Sequence, residues 1–523
     1  MTDLQLLAIV LAGWVLTLFL ERLMAPRPRL FSRPASAHAI HLGLWTLLFG
    51  VPLLAIQHPL LMLAVFLSIW LLLVVVNNSK FARLREPLIF TDLEFVSYAV
   101  RHPRLYVPFL GLWRGILLGV LSAGIVYALW RIDSTLDPHP MGPDHLLLIV
   151  AVATVAGSLV WWGARASAPP TLDPAADFKR SGLLASFWQY RALDRRARPE
   201  PVRTPFHAVA APAGVRPDII AIQSESFFDA RRLHQGVRRD VLAEFDALRE
   251  SADAEGHLLV PAWGANTVRT EFSFLSGVAN DALGIDRFNP YRTVLRRPIQ
   301  TLASSLKQLG YRTICIHPYL SSFYARDRVY PVLGFDEFID IRSFTAGDRF
   351  GPYVSDAAVA DRVMALADGS DRPVFVFVIT MENHGPLHLE SVAPGESATY
   401  LTADFPPAIT HDLTAYLRHL KNADRMLATL RSWLATRSRP GHVCFFGDHV
   451  PIMPTVYKSV ALSDGHTDYV VFGPKASGGC RRQDLSIEQV GTALLASAGL
   501  LPRTAVPGSP DAPPDAPPAP PRG

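Results

Sequence analysis

Trp263-Gly-Ala-Asn266-Thr267-Val-Arg-Thr270-Glu271-Phe-Ser-Phe-Leu-Ser-Gly277 combines a turn-forming Gly-Ala-Asn, a hydroxyl residue and a run that reads as the start of a helix. It lies between an upstream Gln-Ser-Glu225-Ser-Phe and a downstream Phe-Gly-Asp448-His449-Val. Each piece follows, or runs into, a hydrophobic strand-like run, so a buried sheet would deliver all three to one edge. Together they offer a hydroxyl nucleophile and several metal-ligating side chains, the equipment of metal-assisted transfer at phosphorus.

The strands that would build such a sheet are present. Segments 218–223, 257–261, 312–317, 374–380, 443–446 and 469–472 are short, rich in Val, Ile and Phe, and continuous rather than alternating. That is the pattern of strands covered on both faces. Segments 241–252, 298–309, 355–367 and 409–435 read as the helices between them. Residues 216–502 are therefore expected to form an α/β domain whose chemistry-bearing residues sit at strand ends. No internal repeat, Gly-rich phosphate loop or dinucleotide fingerprint is evident.

The chain has 523 residues, 50% of them hydrophobic and 18% charged, with a mean hydropathy of +0.21. That balance suits a helical membrane region joined to a globular one. Five apolar segments, about 4–22, 39–56, 60–77, 106–130 and 146–163, make residues 1–165 a transmembrane region. The first has no basic leader and no small-residue cleavage site, so it reads as a retained helix rather than a signal peptide. Residues 166–215 are a Pro-rich, basic linker in which 182–193 can form an interfacial helix, and 503–523 is a Pro/Ala/Asp tail too poor in apolar residues to pack. The net charge of +4 is too small to argue for nucleic-acid binding. Cys315 and Cys444 lie inside strand-like runs and read as small buried hydrophobes, and with Cys480 they form no disulfide framework.

Topology is contradictory. Arg22, Arg27, Arg29 and Arg33 follow the first helix, and Lys80, Arg83, Arg85, Arg101 and Arg104 follow the third. A positive-inside count thus places the N-terminus outside and the globular domain inside. Against this, 85–95 looks like a structured or amphipathic element lying on the membrane, and basic residues can also be contacts for an anionic phospholipid.

Glu225, just beyond a buried strand, either caps the next element or binds a metal. Asp448 and His449 on a sharp turn can hold one divalent ion, with Gly447 permitting close approach. His466 adds a ligand or supports its own loop. Thr270 is the more natural helix cap, which leaves Thr267 free in the preceding turn; cation binding would lower its pKa, and the helix N-terminus would favour an incoming phosphate. His384 can bind phosphate, protonate a leaving alkoxide, or be a structural histidine in a Gly-Pro turn. His317 ends another strand. Arg326 can fork onto phosphate oxygens unless Asp327 occupies it, and Tyr324 can cover a headgroup.

In this order, Gln-Ser-Glu225-Ser-Phe, Asn-Thr267-Val-Arg-Thr-Glu271-Phe, His317…Phe-Tyr324-Ala-Arg326-Asp, Asn-His384-Gly-Pro and Gly-Asp448-His449 resemble the lipoteichoic acid synthase/phosphoglycerol transferase family of the alkaline phosphatase–sulfatase superfamily. The resemblance spans roughly 217–474, and the five-helix front also matches. It implies a sulfatase-like domain with a central mixed sheet flanked by helices. It also implies one divalent ion, Mn²⁺ favoured over Mg²⁺ or Zn²⁺, held by Glu225, Thr267, Asp448 and His449, with Thr267 as nucleophile. His384, Arg326, Tyr324 and His317 would bind substrate. Two positions depart from the Gram-positive polymerases: Tyr319 stands where they carry an acidic residue, and Tyr324 where they carry tryptophan.

The expected activity is transfer of phosphoglycerol from a phosphatidylglycerol-type lipid, through phosphoglyceryl-threonine, to a glycan or glycolipid acceptor. The resemblance places the catalytic domain outside a bacterial inner membrane. A phosphoethanolamine transferase, a phosphodiesterase and a non-catalytic lipid or glycan sensor are the rivals. A true sulfatase is disfavoured because Thr267-Val-Arg-Thr lacks the Cys/Ser-x-Pro-x-Arg pattern of a formylglycine precursor.

Overall fold

The computed structural model describes residues 2–103, 112–135, 142–196, 203–212, 214–474 and 482–505. The first residues of the fourth expected membrane segment, Arg104, Cys480 and nearly all of the C-terminal tail lie outside the described residues. The chain divides into two compact units, Met1–Arg198 and Pro199–Gly523.

Five helices of the first unit are long and apolar enough to cross a membrane. They are α1 (Asp3–Glu21), α2 (Ala35–Ile56), α3 (Pro59–Leu84), α5 (Leu112–Asp133) and α6 (Pro143–Ala166), with the short α4 (Asp92–Arg101) after α3. Small residues let α2 and α6 approach closely: Gly43 faces Ala156 and Val160, and Gly163 faces Ser36 and Ile40. Two further helices, α7 (Pro174–Ser181) and α8 (Leu183–Asp194), belong to the same unit. Buried polar contacts fix the connections. Glu21 pairs with Arg33 at 2.5 Å and accepts the Leu183 N–H at 2.9 Å, while Lys80 pairs with Glu86 and Asp92, each at 2.7 Å. The segment after α3 is thus a folded element and not a tether.

The second unit is a layered α/β structure. In chain order it comprises β1 (Asp218–Ser224), α9 (Ala243–Ser251), β2 (Ala254–Leu259), α10 (Thr267–Ser276), α11 (Leu302–Gln308), β3 (Arg312–Ile316), α12 (Arg326–Leu333), β4 (Glu337–Ile339), β5 (Arg349–Phe350), β6 (Tyr353–Val354), α13 (Asp356–Asp368), β7 (Val374–Ile379), α14 (Pro407–Thr436), β8 (Gly441–Gly447), β9 (Thr467–Phe472), β10 (Leu485–Ser486) and α15 (Ile487–Ser497). Eight strands form one mixed sheet, ordered β10-β2-β9-β8-β1-β7-β3-β4, with β9 antiparallel to β2 and β8. Alternate residues of β1 feed two buried cores: Ile220 and Ile222 pack with α9, α13 and α14, and Ile219 and Ala221 with α10, α11 and α15. That is why the strands read as unbroken apolar runs. Cys315 and Cys444 are buried in these strands, and burial pushes both thiols far up.

Candidate active site

Register brings the site together. The ends of β7, β1 and β8 lie side by side, with Gln223 opposite Ile379 and Ser224 opposite Gly447. The first polar residues beyond those ends therefore emerge at one edge. A close approach at the β8 end makes this possible: a Cβ on Gly447 would stand 1.8 Å from the Phe227 carbonyl oxygen.

Glu225, Asp448 and His449 are buried there, with one ligand atom from each lying within 4.8 Å of the others. His449 Nε2 faces Asp448 Oδ2 at 3.3 Å and Glu225 Oε1 at 3.7 Å. Its Nδ1 lies 3.2 Å from the Val450 carbonyl, a contact that suits a proton on Nδ1 and turns Nε2 toward the two carboxylates. Ser226, held at φ 55° with its carbonyl accepting from Tyr416 at 2.8 Å, donates its N–H to Asp448 Oδ1 at 2.9 Å and its hydroxyl to Glu225 Oε1 at 2.8 Å. Asp448 Oδ2 is buried with no hydrogen-bond donor. Burial and the Asp448 charge push Glu225 up to about 8, against the pull of His449, Ser226 and Arg326. Burial also raises Asp448, while His449, the Ser226 N–H and the Thr267 hydroxyl pull it down. Two buried carboxylates, an orphaned oxygen and an imidazole nitrogen turned toward them are a donor set that fits a divalent cation.

Thr267 stands beside this set but not where the local sequence suggested. It is the first residue of α10 rather than part of the preceding turn, and Asn266 at φ 67° occupies the cap position without a capping side chain. Thr270 is not the cap either: it is fully buried in the first turn and donates to the Asp448 carbonyl at 2.9 Å. Thr267 is only half-buried, so its hydroxyl is reachable.

The other expected residues lie on the same edge. His317, after β3, is buried; its Nδ1 lies 3.1 Å from the Ile379 carbonyl, and burial and Arg326 hold its pKa far down. Arg326 is also buried, and its fork is taken by Glu271 of α10, not by Asp327: Nη2 and Nε both donate to that carboxylate. Arg326 Nη1 points at His317 Nε2 at 3.2 Å. Tyr330, at 2.8 Å, and Tyr291 also donate to Glu271. Tyr324, at φ 55°, leaves its ring 5.3 Å from the Arg326 guanidinium carbon. His384 Nδ1 lies 2.8 Å from the Gly385 carbonyl and 3.2 Å from the Tyr353 hydroxyl; burial lowers its pKa, opposed by that carbonyl and by the charge of Asp448. His384 is thus neutral at rest, with its proton assigned to Nδ1. His466 lies beside Asp464 at 3.2 Å and outside the buried metal-ligand group, which agrees with a loop-supporting part.

Glu271 and Tyr353 are additions. A carboxylate inside the Phe-rich start of α10 was a visible signal for the first. Tyr353 sits on a two-residue strand that no pattern announced. Among the described residues of this unit, the non-glycine residues with left-handed backbone are Ser226, Asn266, Tyr324 and Ala325, all at this edge, where such strain commonly marks function.

Comparisons with known proteins agree with this layout. A family model described as Sulfatase matches residues 217–500. Capsular polysaccharide biosynthesis protein RkpI of Rhizobium meliloti (strain 1021) is 30% identical over 438 residues, covering 79% of this chain and 77% of its own. Among solved structures, the integral membrane protein lipooligosaccharide phosphoethanolamine transferase A of Neisseria meningitidis is 13% identical with a TM-score of 0.56, covering 93% of this chain and 95% of its own. Phosphoglycerol transferase GacH of Streptococcus pyogenes, in complex with sn-glycerol-1-phosphate, is 22% identical with a TM-score of 0.47, covering 58% and 85%. Of these two, the Neisseria structure speaks to fold alone.

Proposed function

This chain belongs to the sulfatase family, and from that premise we propose that it is a membrane-bound, metal-dependent phosphoglycerol transferase. It takes phosphoglycerol from a phosphatidylglycerol-type lipid through a phosphothreonine intermediate and passes it to a glycan or glycolipid acceptor. One observation carries the reading: Glu225, Asp448 and His449 converge on one buried point beside a reachable hydroxyl at the N-terminus of a helix.

Thr267 is the nucleophile. Its oxygen forms a bond to phosphorus as the bond to the diacylglycerol oxygen breaks, and the proton that the Thr267 hydroxyl gives up leaves on that oxygen. The N-terminus of α10 favours the anionic phosphoryl group. When held by Glu225, Asp448, His449 and the Thr267 oxygen, a divalent cation, Mn²⁺ ahead of Mg²⁺ or Zn²⁺ for a mixed oxygen–imidazole set, supplies Lewis-acid stabilisation of the nucleophile and phosphoryl oxygens. In the second step an acceptor hydroxyl attacks phosphorus and Thr267 is released. Neutral His384 is suited to take the hydroxyl's proton in that step and hand it to the departing Thr267 oxygen.

Tyr324, His317, His384 and Tyr353 give the headgroup side hydroxyls and neutral imidazoles. Glu271 on that side is already neutralised by Arg326. Such surroundings suit a polyol better than an ammonium group, which favours phosphoglycerol over phosphoethanolamine. The nucleophile motif, with no Cys/Ser-x-Pro-x-Arg, argues against sulfate-ester hydrolysis. A glycan acceptor accords with the name of the rhizobial relative.

We place the catalytic unit on the outer face of a bacterial inner membrane. Two of the cations behind the opposing charge count are spent inside the fold: Arg33 on Glu21, and Lys80 on Glu86 and Asp92. Such groups are not presented to a lipid leaflet.

The test uses the full chain in lipid with headgroup-labelled phosphatidylglycerol and phosphatidylethanolamine, with and without glycan acceptors. Diacylglycerol release from phosphatidylglycerol, abolished by Thr267→Ala, is the expected outcome. Ethanolamine preference, release without transfer, or metal binding with no turnover would each replace the proposal with a rival.

A further inference from the structure

Behind His384 lies a buried charged cluster that the reaction above does not use. Glu382 and Glu390 bracket His384 in the loop that follows β7, and both carboxylates are hydrogen-bonded to one side chain of α14, His419. Its Nδ1 lies 3.0 Å from Glu382 Oε1 and its Nε2 lies 2.8 Å from Glu390 Oε2. The imidazole is completely buried, and the two carboxylates are 1% and 7% exposed. With a carboxylate at each ring nitrogen, both nitrogens donate, and the ring is an imidazolium.

Further partners come from elements that frame the site, while Glu390 Oε1 and Asp356 Oδ1 stay buried without a hydrogen bond. Glu382 also accepts the Asp356 N–H at 2.7 Å, at the start of α13, and the Asn422 amide at 2.6 Å. Glu390 accepts from Arg418 at 2.8 Å, and Arg418 also reaches Glu396 at 3.0 Å. The Phe350 ring of β5 stands edge-on to His419 at 5.7 Å. Asp356, buried and raised by burial and by Glu382, faces the same cluster. Next to it Thr380 accepts the Glu225 N–H at 3.0 Å.

We propose that His419 is a positioning residue: as a doubly donating imidazolium it staples both ends of the 382–390 loop to α14 and so fixes where His384 stands over the reacting phosphorus. The inference rests on the phosphotransferase reading for what His384 does, but not for the clamp itself. Loss of one ring proton removes one of the two staples, because a neutral imidazole donates only once. Burial alone would strip that proton, but the hydrogen bonds to Glu382 and Glu390 outweigh it and hold the pKa at about 9. The groups facing the ring are Glu382, Glu390, Asp356 and Arg418, so its carboxylate neighbours outnumber the one cation.

The experiment combines ring spectra with kinetics on the full chain in micelles. In ¹³C-histidine-labelled wild type, the His419 resonance should remain that of an imidazolium until the pH passes about 9. In His419→Gln the His384 resonance should move, and diacylglycerol release should lose turnover on the order of 10²-fold with little change in KM, as expected of a misplaced proton acceptor. Glu390→Gln, which keeps a hydrogen-bonding partner, should show a smaller loss in the same sense and serves as the variant of record if His419→Gln does not fold. A His419 ring that titrates in the ordinary histidine range, or a His384 resonance unmoved by both substitutions, overturns the proposal. If wild type releases no diacylglycerol at all, the functional reading fails while the spectra still decide the clamp.

Discussion

Two buried pairs of carboxylates lie on the same edge of the sheet, and they are resolved in opposite ways. Glu382 and Glu390 share the imidazolium of His419, with Arg418 beside it, so their charge is balanced by the protein. Glu225 and Asp448 accept from Ser226 and face His449 Nε2, but among the described residues neither pairs with an Arg or Lys, and one Asp448 oxygen has no donor. Burying a charge without a partner costs several kcal/mol. The fold meets that cost internally at the first pair and leaves it for an external cation at the second. The contrast in balancing charge, more than acidity itself, is what singles out the second corner as the candidate metal site.

The largest effect should come from the hydroxyl at the uncompensated corner. Thr267→Ala is expected to lower diacylglycerol release on the order of 10⁴-fold or more while metal still raises the melting temperature. A variant that keeps its turnover would break the assignment. The same neutralising change made at both pairs then sharpens the comparison. Glu382→Gln should destabilise the protein by about 3–5 kcal/mol, because a buried imidazolium loses one carboxylate. Glu225→Gln should leave the metal-free protein at least as stable as wild type and abolish the rise in melting temperature on adding Mn²⁺. Equal destabilisation by the two would erase the distinction.

A smaller effect is a pH dependence. The folded-state pKa of His419, about 9, lies above its ordinary 6.5. The stability it contributes is therefore fully present below pH 6.5 and is lost as the pH rises through about 9. Melting curves should show that alkaline loss in wild type and a weaker one in His419→Gln. The smallest change is Tyr353→Phe, which removes one hydroxyl beside His384 and should cost about 1 kcal/mol in kcat/KM.

What the sequence revealed and what it hid divide along similar lines. Glu225 and Asp448 were readable because a strand covered on both faces must stay apolar, so the first charged residue beyond it marks the sheet edge. The helix boundary at Thr267 was misplaced by local logic. Thr270 looks like a cap, but its hydroxyl is claimed by a carbonyl far away in sequence, Asp448, and the left-handed Asn266 starts the helix without a capping side chain. Locally Arg326 reads as free for phosphate oxygens or paired with Asp327, whereas tertiary packing supplies Glu271 from another helix. His419, inside a long amphipathic helix, carries no local sign that two acids from a distant loop will close on it.

Gly447 finally sets a limit on how this molecule can change over evolutionary time. Any side chain there would collide with the Phe227 carbonyl, and relief would have to move the turn that carries Asp448 and His449. Natural variation and directed evolution alike therefore have little room at the metal corner. Under the proposed function, new substrate preferences would be gained through the aromatic positions Tyr319, Tyr324 and Tyr353, so that selection alters recognition while the corner beneath stays fixed.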